Sequence, residues 1–258
     1  MYRRHIYMLA GILLFLLSAW SFAQDKQKDV LYLIHTDFVI PSMVPQYESA
    51  VTKLAEQFKK HDFGMDIQFV SSTDDNVYYY LTPLNSYADL DNRQSIWADL
   101  NKKAGEETMA AIDKEFEGCY KHHNSYIVRW SAELSYQPKT PRLKQEEVKF
   151  IHWDYYYIEE GKEGEAIVLA KKYNELWEKN NVGDGYNVWI ADIGHPMGLM
   201  VVTQSAKDAA DYYTQGELMQ EMMGDEINAL NAEFLPLMKD FEQKNGKPHP
   251  EFTYVRNK

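Results

Sequence analysis

Cysteine is almost absent from this chain. Cys119 is the single one in 258 residues, so no intrachain disulfide can form and folding must rest on an apolar core. With no partner at a fixed spacing to activate it, Cys119 reads as a packed helix residue rather than a nucleophile. Basic residues are also short: 27 Lys and Arg stand against 39 Asp and Glu, a formal net charge of −12. Such a surface repels nucleic acid and anionic membrane, both of which are bound chiefly through positive patches. Past residue 23 no apolar run approaches the roughly 20 residues that span a bilayer. HExxH, GxSxG, a phosphate-binding glycine loop and a dinucleotide fingerprint are all missing, so hydrolase, kinase and dehydrogenase readings have no support.

The beginning of the chain is what those absences leave prominent. Arg3 and Arg4 precede an apolar run from Ile6 to Trp20, and Ser21-Phe22-Ala23 leads into Gln24-Asp25-Lys26. A basic start, a short apolar core and small residues at −3 and −1 predict a secretory signal peptide over 1–23, and a mature protein that is secreted or periplasmic. An uncleaved anchor is the alternative.

Two segments recur. Leu33-Ile34-His35-Thr36-Asp37-Phe38 reads onto Phe150-Ile151-His152-Trp153-Asp154-Tyr155, and Tyr126-Ile127-Val128-Arg129 reads onto Thr253-Tyr254-Val255-Arg256. Between them the pattern also repeats. A strand comes first, Asp29 to Thr36 or Val148 to Tyr157, rich in β-branched and aromatic residues. A helix follows, with Tyr47, Val51, Leu54 and Phe58 on one face, or Ile167, Ala170, Tyr173 and Trp177. Gly64 and Gly183 are placed as the helix stops. Two strands come next, at Asp66 to Val70 and Val77 to Leu81, then at Tyr186 to Ala191 and Gly198 to Val202. The turns between them hold Asp74-Asp75-Asn76 and Gly194-His195-Pro196.

A second helix closes each set. Its stripe is Met109, Ile112, Phe116 and Cys119 in the first, and Met223, Ile227, Leu230, Phe234, Leu237 and Phe241 in the second, kinked at Pro236. The order predicts an α+β chain of two tandem ferredoxin-like β-α-β-β-α-β repeats, over 29–131 and 148–258, with a linker at 132–147. Leu31 and Leu33 alternate with Tyr32 and Ile34, so both faces of the first strand are apolar and its sheet needs cover.

The chain thereby resembles the dimeric α+β barrel superfamily, which includes antibiotic-biosynthesis-type monooxygenases, NIPSNAP-like proteins and haem-handling enzymes. The resemblance covers nearly all of the mature chain and rests on element order. It implies that the two units set their sheets face to face as an intrachain dimeric α+β barrel. It further implies either cofactor-free oxygenation or haem chemistry through a histidine. No residue set for haem can be placed on this sequence.

The candidate ligand-binding residues are His35, Asp37, Arg129, His152, Trp153, Asp154 and Arg256. Each His-x-Asp pair puts two side chains on one face of a strand, where they can reach one ligand, proton or metal. The same spacing also serves structure, the Asp orienting a buried His. Arg129 and Arg256 can bind a carboxylate or pair internally with Asp37 or Asp154. His122-His123 and the lone His249 lack the ligand count of a zinc site, so no metal is expected. Tyr78-Tyr79-Tyr80 and Trp153 to Tyr157 can line a pocket for a flat ligand, although alternation allows only about half of each run to do so.

The function expected is binding of a small apolar or aromatic ligand between the repeats, with His35, Asp37, His152 and Asp154 as its polar contacts. A cofactor-free or haem-dependent monooxygenase and a non-catalytic module for a basic protein partner are the alternatives.

Overall fold

The computed structural model describes residues 28–256, so the leader and its Ala23 site lie outside the described residues. The first set of elements is β1 (Val30–Val39), α1 (Val44–Lys60), β2 (Ile67–Thr73), β3 (Val77–Leu84), α2 (Asp89–Ala104), α3 (Glu106–Phe116) and β4 (Tyr120–Trp130). The second is β5 (Phe150–Ile158), α4 (Glu163–Lys179), β6 (Tyr186–Ala191), β7 (Leu199–Ala206), α5 (Ala209–Phe234) and β8 (Met238–Pro248), with a two-residue β9 (Tyr254–Val255) at the end.

Strand order is β2-β3-β1-β4 in the first set and β6-β7-β5-β8 in the second. β4 pairs with β6, Arg129 opposite Ile190, and β8 pairs with β2, Lys247 opposite Ser72. Both free edges of each sheet are thus consumed, and eight antiparallel strands close into a barrel. The two sheets meet edge to edge as well as facing each other across the interior. Exposed strand edges carry unpaired N–H and C=O groups, and closure satisfies them.

At the β8–β2 seam Gly246 lies opposite Thr73. A Cβ there would overlap the Ser72 carbonyl oxygen and stand 2.7 Å from Thr73 Cα. Only glycine lets the strands approach so closely.

The helices cover the outside. α1 buries Tyr47 and Val51 against the first sheet and Phe58 against α2 and α3, and α4 buries Ala170, Leu176 and Trp177 against the second. They stop earlier than the glycines suggest. Asp62 (φ 48°) and Asn181 (φ 50°) take the left-handed turn two residues before Gly64 and Gly183, a role their short polar side chains tolerate. The second helix of the first set is broken in two at Gly105 (φ 91°).

α5 bends at Met223, whose φ is −143°, and Pro236 ends it rather than kinking it. Proline cannot donate the next helical bond, the chain passes through a 3-10 turn at Leu235–Leu237, and Phe241 lies in β8 instead of on the helix stripe.

The end of the chain also departs from expectation. Tyr254 and Val255 are not the last strand of the second set, which is β8; they pair with Gln68 and Ile67 of β2 in the first. Phe252 packs in the cluster of Val39, Tyr47, Val51 and Tyr78, and the Tyr254 hydroxyl donates to the Phe63 carbonyl at 3.0 Å. In the segment expected as a linker, Leu134 and Tyr136 are buried, and Tyr136 bridges to Tyr186.

Candidate functional site

Alternation along each strand decides which residues face the interior. In β1 these are Tyr32 and Ile34, and in β5 Ile151, Trp153 and Tyr155. His35, Asp37, His152 and Asp154 therefore point the other way, to the helix-covered outside. Neither His-x-Asp pair supplies a polar contact to a ligand held between the sheets. Trp153 alone of the seven candidates faces that space.

On the outer face of the first sheet, His35 Nε2 lies 3.1 Å from Asp37 Oδ1 and His35 Nδ1 lies 2.9 Å from Ser125 Oγ. Tyr47 of α1 donates its hydroxyl to Asp37 Oδ2 at 2.7 Å and stands 2.6 Å from the Tyr80 hydroxyl.

The second sheet repeats this with changes. His152 Nε2 is 3.1 Å from Asp154 Oδ1, and Nδ1 is 2.7 Å from Asn245 Oδ1. Gln243 donates to Asp154 Oδ1 at 2.8 Å, and Tyr212 of α5 stacks on the His152 ring at 4.5 Å. Burial disfavours the His152 imidazolium, but the hydrogen bonds to Asp154 and Asn245 and the Asp154 charge outweigh it, so its pKa is raised. With its side chain 5% exposed, His152 is a sealed structural group.

The arginines do not reach either aspartate. Arg129 Nη2 bonds Asp192 Oδ2 at 3.1 Å, beside the Tyr87 hydroxyl on the same oxygen at 2.6 Å. Arg256 is held by Asp62 at 2.9 and 2.6 Å on the surface. Its match to Arg129 fails because the residues around it belong to the β2 edge.

The interior is a cavity of ≈ 1180 Å³ lined by Tyr32, Tyr79, Tyr126, Trp130, Trp153, Tyr155 and Trp189, with Ile34, Val128 and Val201 between them. Tyr79 and Trp153 rings stack at 6.2 Å, and the Tyr79 and Tyr155 hydroxyls are 3.2 Å apart. Trp189 donates its indole N–H to Thr203 at 3.1 Å. Burial raises the pKa of Tyr79, Tyr126 and Tyr155, keeping them neutral donors. Of the run Tyr78-Tyr79-Tyr80, only Tyr79 lines the cavity.

His195, which the sequence presents only as part of a turn, also lines this cavity, the one histidine among the described residues to do so. Its ring meets Tyr126 edge-on at 4.2 Å, and its Nδ1 is buried without a hydrogen-bond partner. Burial lowers its pKa, so it stays unprotonated at neutral pH. Gly194 (φ 88°), where an added Cβ would stand 3.1 Å from Tyr126 Cβ, makes the turn that delivers the ring. An unpaired buried imidazole nitrogen costs stability unless something bonds it. Among the described residues it is also the one cavity histidine that could hold a haem iron.

No family profile matches the chain, and no curated protein matches it. Solved structures do. An anthrone oxidase-like protein superposes with a TM-score of 0.57 at 11% identity, over 91% of this chain and 95% of that one. A candidate monooxygenase from Lactobacillus acidophilus NCFM gives 0.55 at 9% identity, over 90% and 98%. Another, from Fusobacterium nucleatum subsp. nucleatum, gives 0.54 at 10%, over 86% and 93%. This likeness is one of fold, the dimeric α+β barrel, and folds of this kind carry many chemistries.

Proposed function

We propose that the barrel cavity binds a small, flat, mostly apolar ligand, with Trp153, Trp189, Tyr126 and Tyr155 against its faces and His195 as its polar contact. The observation that carries this reading is the aromatic cavity containing one neutral imidazole with an unpartnered nitrogen. Largely aromatic and aliphatic walls supply affinity, and a few polar groups, His195 and the tyrosine hydroxyls among them, supply orientation, the usual division in small-molecule sites. The shared strand order supports descent from two tandem ferredoxin-like units, and the basic and then apolar start of the chain supports export. Mass spectrometry of the protein recovered from its producing cell should find Gln24 first.

A second reading is oxygenation of such a ligand. A histidine that is unprotonated at neutral pH can take the proton of a ring hydroxyl, or of the activated CH2 of an anthrone-type ring, leaving an electron-rich anion open to oxygen. Neighbours named as candidate monooxygenases and as anthrone oxidase-like support it.

Anthrone and 1-naphthol serve as probes. Anaerobic titration should quench tryptophan emission saturably, and Trp153→Ala or Trp189→Ala should weaken binding roughly five-fold, from the loss of about 1 kcal/mol of ring contact. No saturable quenching by either probe sinks the binding reading. Oxygen uptake with a bound probe, lost in His195→Ala while binding persists, selects the enzyme, and a Soret band on addition of haemin selects haem.

A further inference from the structure

Outside the barrel, three donors converge that the cavity does not use. We propose that His35, Asp37 and His123 bind a divalent transition-metal ion such as zinc. His35 and Asp37 are two apart on β1, and His123 is the residue of β4 opposite Asp37, so the three side chains share one face. His35 Nε2 lies 3.1 Å and His123 Nδ1 3.9 Å from Asp37 Oδ1, and one donor atom from each residue lies within 4.8 Å of the other two. An ion bound at about 2.0–2.2 Å from each donor sets donors roughly 3 to 3.5 Å apart. The His123 ring, 57% exposed and stacked on Tyr120 at 5.4 Å, turns toward the other two donors to reach that spacing when the ion binds. Two imidazoles and one carboxylate suit zinc and its neighbours in the first transition row, and leave positions for water or a further ligand.

The surroundings are those of a held ligand set. Ser125 Oγ meets the far nitrogen of His35 at 2.9 Å, which directs Nε2 at the carboxylate, and Tyr47 fixes the other oxygen of Asp37 at 2.7 Å. Such outer contacts orient metal ligands. Among the described residues the ion-pair partners of Asp37 are His35 and His123, with no lysine or arginine, although its side chain is only 10% exposed. A buried carboxylate needs a counter-charge.

The second sheet supplies the contrast. Where His123 stands opposite Asp37, Gln243 stands opposite Asp154 and donates to it, and Asn245 replaces Ser125. That version is closed, His152 being 5% exposed where His35 is 29%. A structural His-x-Asp needs neither a second imidazole nor an open side. The first sheet has both.

The test is a titration of the full-length chain, carrying no histidine tag, with Co(II) followed by visible absorption, then displacement by zinc. One equivalent should bind, and zinc should raise the thermal midpoint. His123→Gln, which installs the residue of the second sheet at an exposed position, should weaken binding by roughly 100-fold, and Ser125→Ala by about ten-fold. His122→Gln, whose ring stacks on Phe38 at 4.0 Å on the other side of the strand, should bind as the wild type does. His195→Ala, in the cavity, should also leave the metal affinity intact, so failure here is separable from failure of the cavity reading. No binding at micromolar metal, unchanged affinity in His123→Gln, or equal loss in His122→Gln and His123→Gln overturns the proposal.

Discussion

Gly246→Ala is expected to cost about 4 kcal/mol or more, a large fraction of the stability of an ordinary domain. The added methyl would overlap the Ser72 carbonyl oxygen, and both obstructing atoms are backbone, which cannot turn aside as a side chain can. Relief requires β8 to move off β2, which opens the seam where Ser71, Ser72 and Thr73 pair with Pro248, Lys247 and Gly246. Chemical denaturation measures it directly: a lower midpoint, or insoluble protein, is expected. A loss below about 1 kcal/mol would mean that the seam is compliant and that closure is not held by this approach.

His152→Leu should be the next most damaging change, at roughly 3 kcal/mol. It removes the cation from a buried pair and leaves the Asp154 carboxylate, 13% exposed, with Gln243 as its remaining polar partner of the pair's surroundings. The cost should depend on pH. The folded pKa of His152 is raised above its ordinary value of 6.5, so its contribution is fully present below that value and fades as pH rises through the folded pKa. The stability difference between wild type and variant should therefore be largest near pH 6 and shrink on the alkaline side. A difference that stays flat from pH 6 upward would show that the ring acts by packing against Tyr212 and not by charge.

Much of the architecture was legible because each strand is a run of β-branched and aromatic residues between turn residues; β6 lies at Tyr186–Ala191, as its pattern predicts. The helix ends were less so, because Asp62 and Asn181 do what glycine usually does. Phe241 was misplaced because Leu237 and Phe241 continue a helical spacing across Pro236 by coincidence, and the backbone obeys the proline.

The site was legible only in fragments. The His-x-Asp spacing correctly puts each pair on one face of its strand, but β1 is apolar on both faces, so nothing in its residues says which face is the interior. That is settled by closure, a property of all eight strands together. His123 joins Asp37 through strand register across 86 positions, and His195 is delivered by a turn whose residues carry no chemical signature. Arg256 misled because a tyrosine shortly before Val-Arg occurs in both Tyr126-Ile127-Val128-Arg129 and Tyr254-Val255-Arg256, on a barrel strand the first time and on a clasp across β2 the second.

That clasp bears on the order of events during synthesis. Phe252 and Tyr254 fill slots among residues of α1, β1 and β2, which leave the ribosome some two hundred residues earlier in the 258-residue chain. Until the last few residues arrive, the first-made half has an apolar gap beneath α1 and an unpaired stretch at Ile67 and Gln68. A chain truncated before Phe252 would therefore leave the first set of elements with that gap uncovered, in a state that invites aggregation or capture by chaperones.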